Sequence, residues 1–160
     1  MPYFTSAKEF FEAVRESSRD AERIRLRLTA MEQRAEGLGG GGFEPRVRST
    51  GEPDRMAGRV ASLVDLETML RERQAEDYAL INAAFNVLYG EDGHSGLWAL
   101  VGWRADAVCL HYVNDMTWER VAESLCYSKY HVWREAQVAL EVCDGWGMAS
   151  VVNGVGNAEF

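Results

Sequence analysis

Residues 106–141, DAVCLHYVNDMTWERVAESLCYSKYHVWREAQVALE, decide the fold. Ala107, Val108, Leu110, Tyr112 and Val113 form a first apolar helical face, and Asn114-Asp115 then stops that helix. Thr117 is placed to cap a second helix whose inner side is Val121, Ala122 and Leu125. After a break at Cys126-Tyr127, Ser128 can cap a third helix with Val132, Ala136, Ala139 and Leu140 facing inward. Short polar caps followed by apolar residues at helical spacing are the requirements of a helix-turn-helix. In that motif the last helix is the one that enters the DNA major groove.

The rest of the chain is helical in pattern too, so the expected class is all-α. Ser6-Ala7-Lys8-Glu9 reads as a capping box opening a long helix. Along it Phe10, Val14, Ser17, Ala21, Ile24, Leu28, Met31, Ala35 and Leu38 recur at alternating steps of four and three. This is a heptad seam, thinned by Ser17, Ala21 and Ala35. Gly37 to Gly42 should end the helix, and the Gly- and Pro-containing segment at about 37–53 reads as a flexible linker. A second long helix is expected from Asp54 to Leu88, with Met56, Val60, Leu63, Leu66, Leu70, Ile81, Ala84, Phe85 and Leu88 on its apolar side. Residues 1–89 thus form a helical hairpin, with an intermolecular coiled coil as the rival arrangement. Gly90 to Gly96 is a turn cluster, and Leu97–Trp103 should be the buried start of the next helix, in a helix-turn-helix domain over 97–146. The Gly-rich stretch 147–160 is expected to be a flexible tail.

Composition narrows the function classes. The chain of 160 residues is 47% hydrophobic with five Trp, enough for a folded core. No membrane span or signal peptide is evident, which points to the cytoplasm. Cys109, Cys126 and Cys143 are expected to be reduced thiols in helix interiors. A zinc site from Cys109, His111, Cys126 and His131 lacks any CxxC pair. No phosphate-binding glycine loop, nucleophile elbow or His-rich motif supports an enzyme, a cofactor or a catalytic residue. Carboxylate pairs such as Glu76-Asp77 and Glu91-Asp92 read as solvated.

The third helix carries the expected contact surface. Lys129, Tyr130, Trp133, Arg134 and Gln137 project away from its apolar face. Arg134 is suited to a guanine edge and Gln137 to adenine, while Lys129 and the cap Ser128 lie where phosphates meet a helix N-terminus. Arg120 is the basic residue of the second helix able to reach the backbone. Packing of Tyr130 and Trp133 on the N-terminal helices is the alternative. Trp118 is read as a core anchor, with a DNA-backbone contact through its indole N–H as the alternative, and Glu119 and Glu123 as facing solvent or a protein partner. The net charge of −8 opposes DNA binding, and Arg104–Asp144 holds four basic residues against seven acidic ones. Affinity would then need dimerisation, an accessory partner such as RNA polymerase, or both.

The run from Arg104 to Leu140 resembles region four of the bacterial primary sigma factors. It resembles more closely the sigma-like phage late-gene transcriptional regulators of the RinA and ArpU type. The residues that carry the likeness are Val108, Leu110, Tyr112, Thr117-Trp118-Glu119, Val121-Ala122, Leu125, Tyr127-Ser128, His131-Val132 and Ala139-Leu140. His111 departs from the family's usual Arg, and Asp115 and Cys126 occupy glycine-like turn positions. The resemblance implies a DNA-binding regulator of phage or prophage origin acting on double-stranded DNA, and a homo-oligomer, with a dimer favoured, is expected. A small terminase subunit, or an interaction module with a degenerate helix-turn-helix, are the alternatives.

Overall fold

The computed structural model describes residues 4–39 and 53–146. It is all-α: the described residues contain no strand. The elements are α1 (Ala7–Gly39), α2 (Pro53–Tyr89), α3 (Gly96–Val101), α4 (Trp103–Val108), a π-helical turn continuing α4 (Cys109–Val113), α5 (Trp118–Leu125) and α6 (Lys129–Trp146). No helix among the described residues is long and apolar enough to cross a membrane. The chain divides into two compact units: Asp20–Glu76, and the residues up to Arg19 together with those from Asp77 on. The division runs through both long helices.

In the Asp20–Glu76 unit, the second half of α1 packs against the first half of α2. Ala21, Ile24 and Leu28 are buried, with Met31, Leu66, Leu70 and Gln74 half-buried. Two exposed ion pairs, Arg73–Asp20 (3.8 Å) and Arg71–Glu32 (3.1 Å), join the helices. Two positions expected in the seam are exposed, Ala35 on α1 and Leu63 on α2, while the side chains expected there at 38, 56 and 60 lie outside the described residues. Helix α1 runs on to Gly39, and the expected linker beyond it, 40–52, lies outside the described residues, as does 147–160.

The other unit holds the larger core. Phe10, Phe11, Val14, Leu88, Leu97, Val108, Val121, Val132, Ala136 and Cys143 are fully buried in one cluster. Phe10 packs edge-on against both Phe4 (5.3 Å) and Phe11 (5.0 Å), a geometry aromatic rings favour. Helix α6 lies against α3, α4 and α5. Its Asp144 accepts the Ala7 backbone N–H (2.6 Å), placing a negative charge at the positive end of α1. The predicted capping box is present in altered form. Ser6 Oγ accepts the Glu9 N–H, but the Glu9 carboxylate reaches back to Thr5 rather than Ser6.

Leu97–Trp103 is not one buried helix start. Gly102, at φ +59°, separates α3 from α4, and only Leu97 and Val101 are buried, while Trp98 and Leu100 are exposed. Gly96 (φ +69°) must be glycine, because a Cβ there would lie 2.7 Å from Gly90 N and 2.8 Å from the Val87 carbonyl.

Candidate nucleic-acid interface

The local signals in 106–141 produce the helices in which they were read. Thr117 is extended (φ −69°, ψ 154°), and its side chain accepts the Arg120 N–H at the start of α5. Ser128 Oγ accepts the His131 N–H (3.3 Å) at the start of α6. Asp115 (φ +52°) and Cys126 (φ +59°) both adopt the left-handed conformation at the two turns. Val132, Ala136, Ala139 and Leu140 are buried, so α6 is fixed by its inner face and its outer face is set by helical geometry.

The first helix differs from its expected form. The Asn114 N–H donates to the Cys109 carbonyl, five residues back, and the Met116 N–H to Leu110. This wider turn rotates the side chains that follow. His111 thereby becomes buried, and Leu110, expected in the core, is only partly so.

His111 is the hinge of a polar network. Its Nδ1 lies 2.8 Å from the Met116 carbonyl, so Nδ1 carries the proton, and Nε2 accepts from Arg15 Nη1 (3.1 Å). Burial pushes its pKa down to about 4, against the opposing pull of the Met116 hydrogen bond, and Arg15 pushes the same way as burial. One face of the ring stacks on Trp118, 3.7 Å between centroids. Asp115 beside it accepts from Arg15 (2.6 Å) and Arg19 (2.8 Å), and these guanidinium groups, Arg19 first, hold its carboxyl below the usual range. At the position where the resemblance expects a basic contact, this chain therefore has a neutral, inward-facing imidazole. Trp118 is half-buried against the core, as its reading as an anchor expects.

Six of the seven anticipated contact residues face outward to some degree along α6 and the turn. Tyr130 is 68% exposed and Trp133 43%. Lys129 and Arg134 are exposed and Gln137 is half-buried, while Ser128 is exposed but already engaged as a cap. Arg120 is exposed on α5, with no ion pair among the described residues. Trp118, Lys129, Tyr130 and Trp133 line an open, mainly apolar cleft of about 450 Å³.

The charges on this face are not free. Glu119 is exposed to solvent, as expected, and it also accepts a hydrogen bond from Lys129. Arg134 reaches back to Glu135 (3.1 Å), which also accepts from Arg104 (2.5 Å). Arg104 and then Arg134 hold the Glu135 carboxyl below its ordinary pKa. Sequence reasoning missed Glu135 because neighbours on a helix do not normally face each other, and Arg104 is 31 residues away. A second aromatic group, Trp103 stacked on Tyr127 (4.6 Å) with His131 alongside (5.7 Å), ties the start of α4 to the turn between α5 and α6.

The four side chains considered for zinc do not assemble. No group of three or more potential metal ligands occurs among the described residues. All three cysteines are free; Cys109 and Cys143 are buried, but Cys126 is exposed in its turn rather than in a helix interior. Set against protein-family models, curated proteins and solved structures, the chain matches none.

Proposed function

We propose that this chain is a DNA-binding transcriptional regulator of phage or prophage origin, reading double-stranded DNA through α5 and α6. The observation that carries the proposal is the two-sidedness of α6. One face is locked into the core, and the other presents Lys129, Tyr130, Trp133, Arg134 and Gln137 after a capped, left-handed turn. The regulatory role and the phage origin rest on the resemblance of 104–140 to sigma region four and the RinA/ArpU-type proteins. Dimerisation or RNA polymerase supplies the affinity that a chain of charge −8 lacks alone.

The test is binding to a randomised duplex library at low and at physiological salt. Arg134→Ala should cost on the order of 1–3 kcal/mol at one base position and relax the preference there. Lys129→Ala should weaken all duplexes alike and flatten the salt slope by about one unit, less whatever Glu119 already screens. Equal, sequence-independent losses would mean backbone binding without readout. A second reading, a protein-interaction module, is favoured by the apolar cleft of Trp118, Tyr130 and Trp133 and by the internal pairing of the nearby cations. Failure of the unmodified protein to bind any duplex at low salt would reject the first reading in favour of the second.

A further inference from the structure

The two cations on the outer face of α6 are held in different ways. Lys129 and Glu119 are each 58% exposed, and an ion pair between two such side chains contributes little and exchanges readily with water. Lys129 can therefore exchange Glu119 for a phosphate at little cost. Arg134 is 55% exposed, but the carboxylate it meets is only 10% exposed. Glu135 Oε1 accepts from both Nε (3.3 Å) and Nη2 (3.1 Å) of Arg134, while Oε2 accepts from Arg104 Nε (2.5 Å). Arg104 in turn lies over the Trp103 ring (6.0 Å), which stacks on Tyr127 in the turn. Arg134 Nη2 also sits 3.4 Å from His131 Nδ1.

Resting on the duplex-binding reading above, we propose that Glu135 is a positioning residue that fixes the Arg134 guanidinium for recognition of a base edge, with Arg104 as the anchor of Glu135. The Nε–Nη2 edge of Arg134 is spent on the carboxylate, so the fork that remains for a ligand is the outer edge formed by Nη1 and the second Nη2 hydrogen. A planar fork reads a guanine edge only when its orientation is set. Fixing it in advance removes part of the rotamer entropy lost on binding. The carboxylate also places a negative charge near the phosphates, so it opposes binding to DNA in general while sharpening the choice among sequences.

Those two effects have opposite signs, which makes the proposal separable from a merely structural role. A preferred duplex is first selected from a randomised library with the full chain at about 50 mM salt, and its affinity is compared with that of a scrambled duplex. Glu135→Gln should raise affinity for the scrambled duplex about two- to threefold and cut the preferred-to-scrambled ratio on the order of tenfold. In an Arg134→Ala background the same change should leave that ratio where it is. If Glu135→Gln lowers both affinities together, or leaves the ratio unchanged, the proposal is overturned. Should that variant fail to fold, as judged by helicity, Arg104→Met leaves the carboxylate in place but untethered and must itself lower the ratio; an unaltered ratio overturns the proposal. An unmodified protein that binds duplex with no preference overturns it while leaving DNA binding intact, whereas one that binds no duplex overturns the reading on which it rests.

Discussion

The same helix, α1, contributes to both compact units, and its two halves are buried to very different degrees. Before Arg19 the seam residues Phe10 and Val14, with Phe11 beside them, are fully buried, and the two phenylalanines meet aromatic partners. After Asp20 the seam narrows to Ala21, Ile24 and Leu28, which meet half-buried leucines and exposed ion pairs. The heptad spacing is continuous through both halves. Periodicity thus reports which face a helix turns inward, and side-chain volume reports how much that face stabilises. The helix-turn-helix unit has the volume; the Asp20–Glu76 hairpin has mainly the pattern.

The largest expected effects break that contrast open. Phe10→Ala should cost about 3–5 kcal/mol, as for a large aromatic removed from a closed core. Leu28→Ala should cost on the order of 2 kcal/mol, because its surroundings are sparse enough to collapse or hydrate. All five tryptophans lie between residues 98 and 146, in the helix-turn-helix unit. Tryptophan fluorescence therefore follows that unit, while circular dichroism follows all the helices. Leu28→Ala should shift the urea transition seen by circular dichroism more than that seen by fluorescence, and Phe10→Ala should shift both. Equal shifts of both signals by Leu28→Ala would mean that the units unfold as one.

A smaller effect, confined to the helix-turn-helix unit, comes from His111. An unfolded histidine titrates near 6.5, and in the fold this one is pushed down to about 4. Between those values the unfolded chain takes up a proton that the folded chain refuses. Stability is thus fully present above about pH 6.5 and lost as the pH falls toward 4, by at most about 3 kcal/mol. Burial is the main reason the fold resists the proton, and the Arg15 guanidinium that a proton on Nε2 would face adds to it. Melting temperatures across pH 7 to 4 check this. His111→Gln should lower stability at neutral pH but flatten the dependence in that window; an unchanged slope would place the acid sensitivity elsewhere.

What the sequence disclosed and what it hid separate by range. Thr117 and Ser128 act on N–H groups three residues away, so their caps were legible, and the buried face of α6 followed from spacing alone. The left-handed turns at Asp115 and Cys126 were legible from their position between helices. The π-helical turn was not, since no residue type enforces it and only the packing of His111 and Tyr112 rewards it. The pairing of Arg104 with Glu135, and of Arg15 and Arg19 with Asp115 about a hundred residues on, depends on how the helices meet. A count of basic and acidic residues shows the acidic excess over Arg104–Asp144, but cannot say which carboxylate pairs with which cation. Leu97–Trp103 is misleading because an apolar run reads as a continuous buried helix, whereas the chain turns at Gly102 and Trp98 is exposed.

The smallest expected effects compare the two left-handed turns, where one backbone conformation is stabilised by different means. At Cys126 (φ 59°, ψ 38°) the exposed side chain makes only a long Sγ contact to the Glu123 carbonyl (3.9 Å). A non-glycine residue there carries about 1–2 kcal/mol of strain, and glycine would relieve it while losing about 0.5–1 kcal/mol to chain entropy. Cys126→Gly should therefore be neutral or stabilising by up to about 1 kcal/mol. At Asp115 (φ 52°) the same relief is available, and Asp tolerates the conformation better than most residues. Its carboxylate, however, joins the turn to Arg15 and Arg19 on α1, and a glycine would leave both guanidinium groups without it. Arg15 is the less exposed of the two and also holds His111, so its loss of a partner should outweigh the relieved strain. Asp115→Gly should destabilise by about 1 kcal/mol, chiefly at low salt where charge pairs are least screened. Melting both variants at low and high salt decides the matter. Movement of both in the same direction would mean that backbone strain, rather than what each side chain holds, governs these turns.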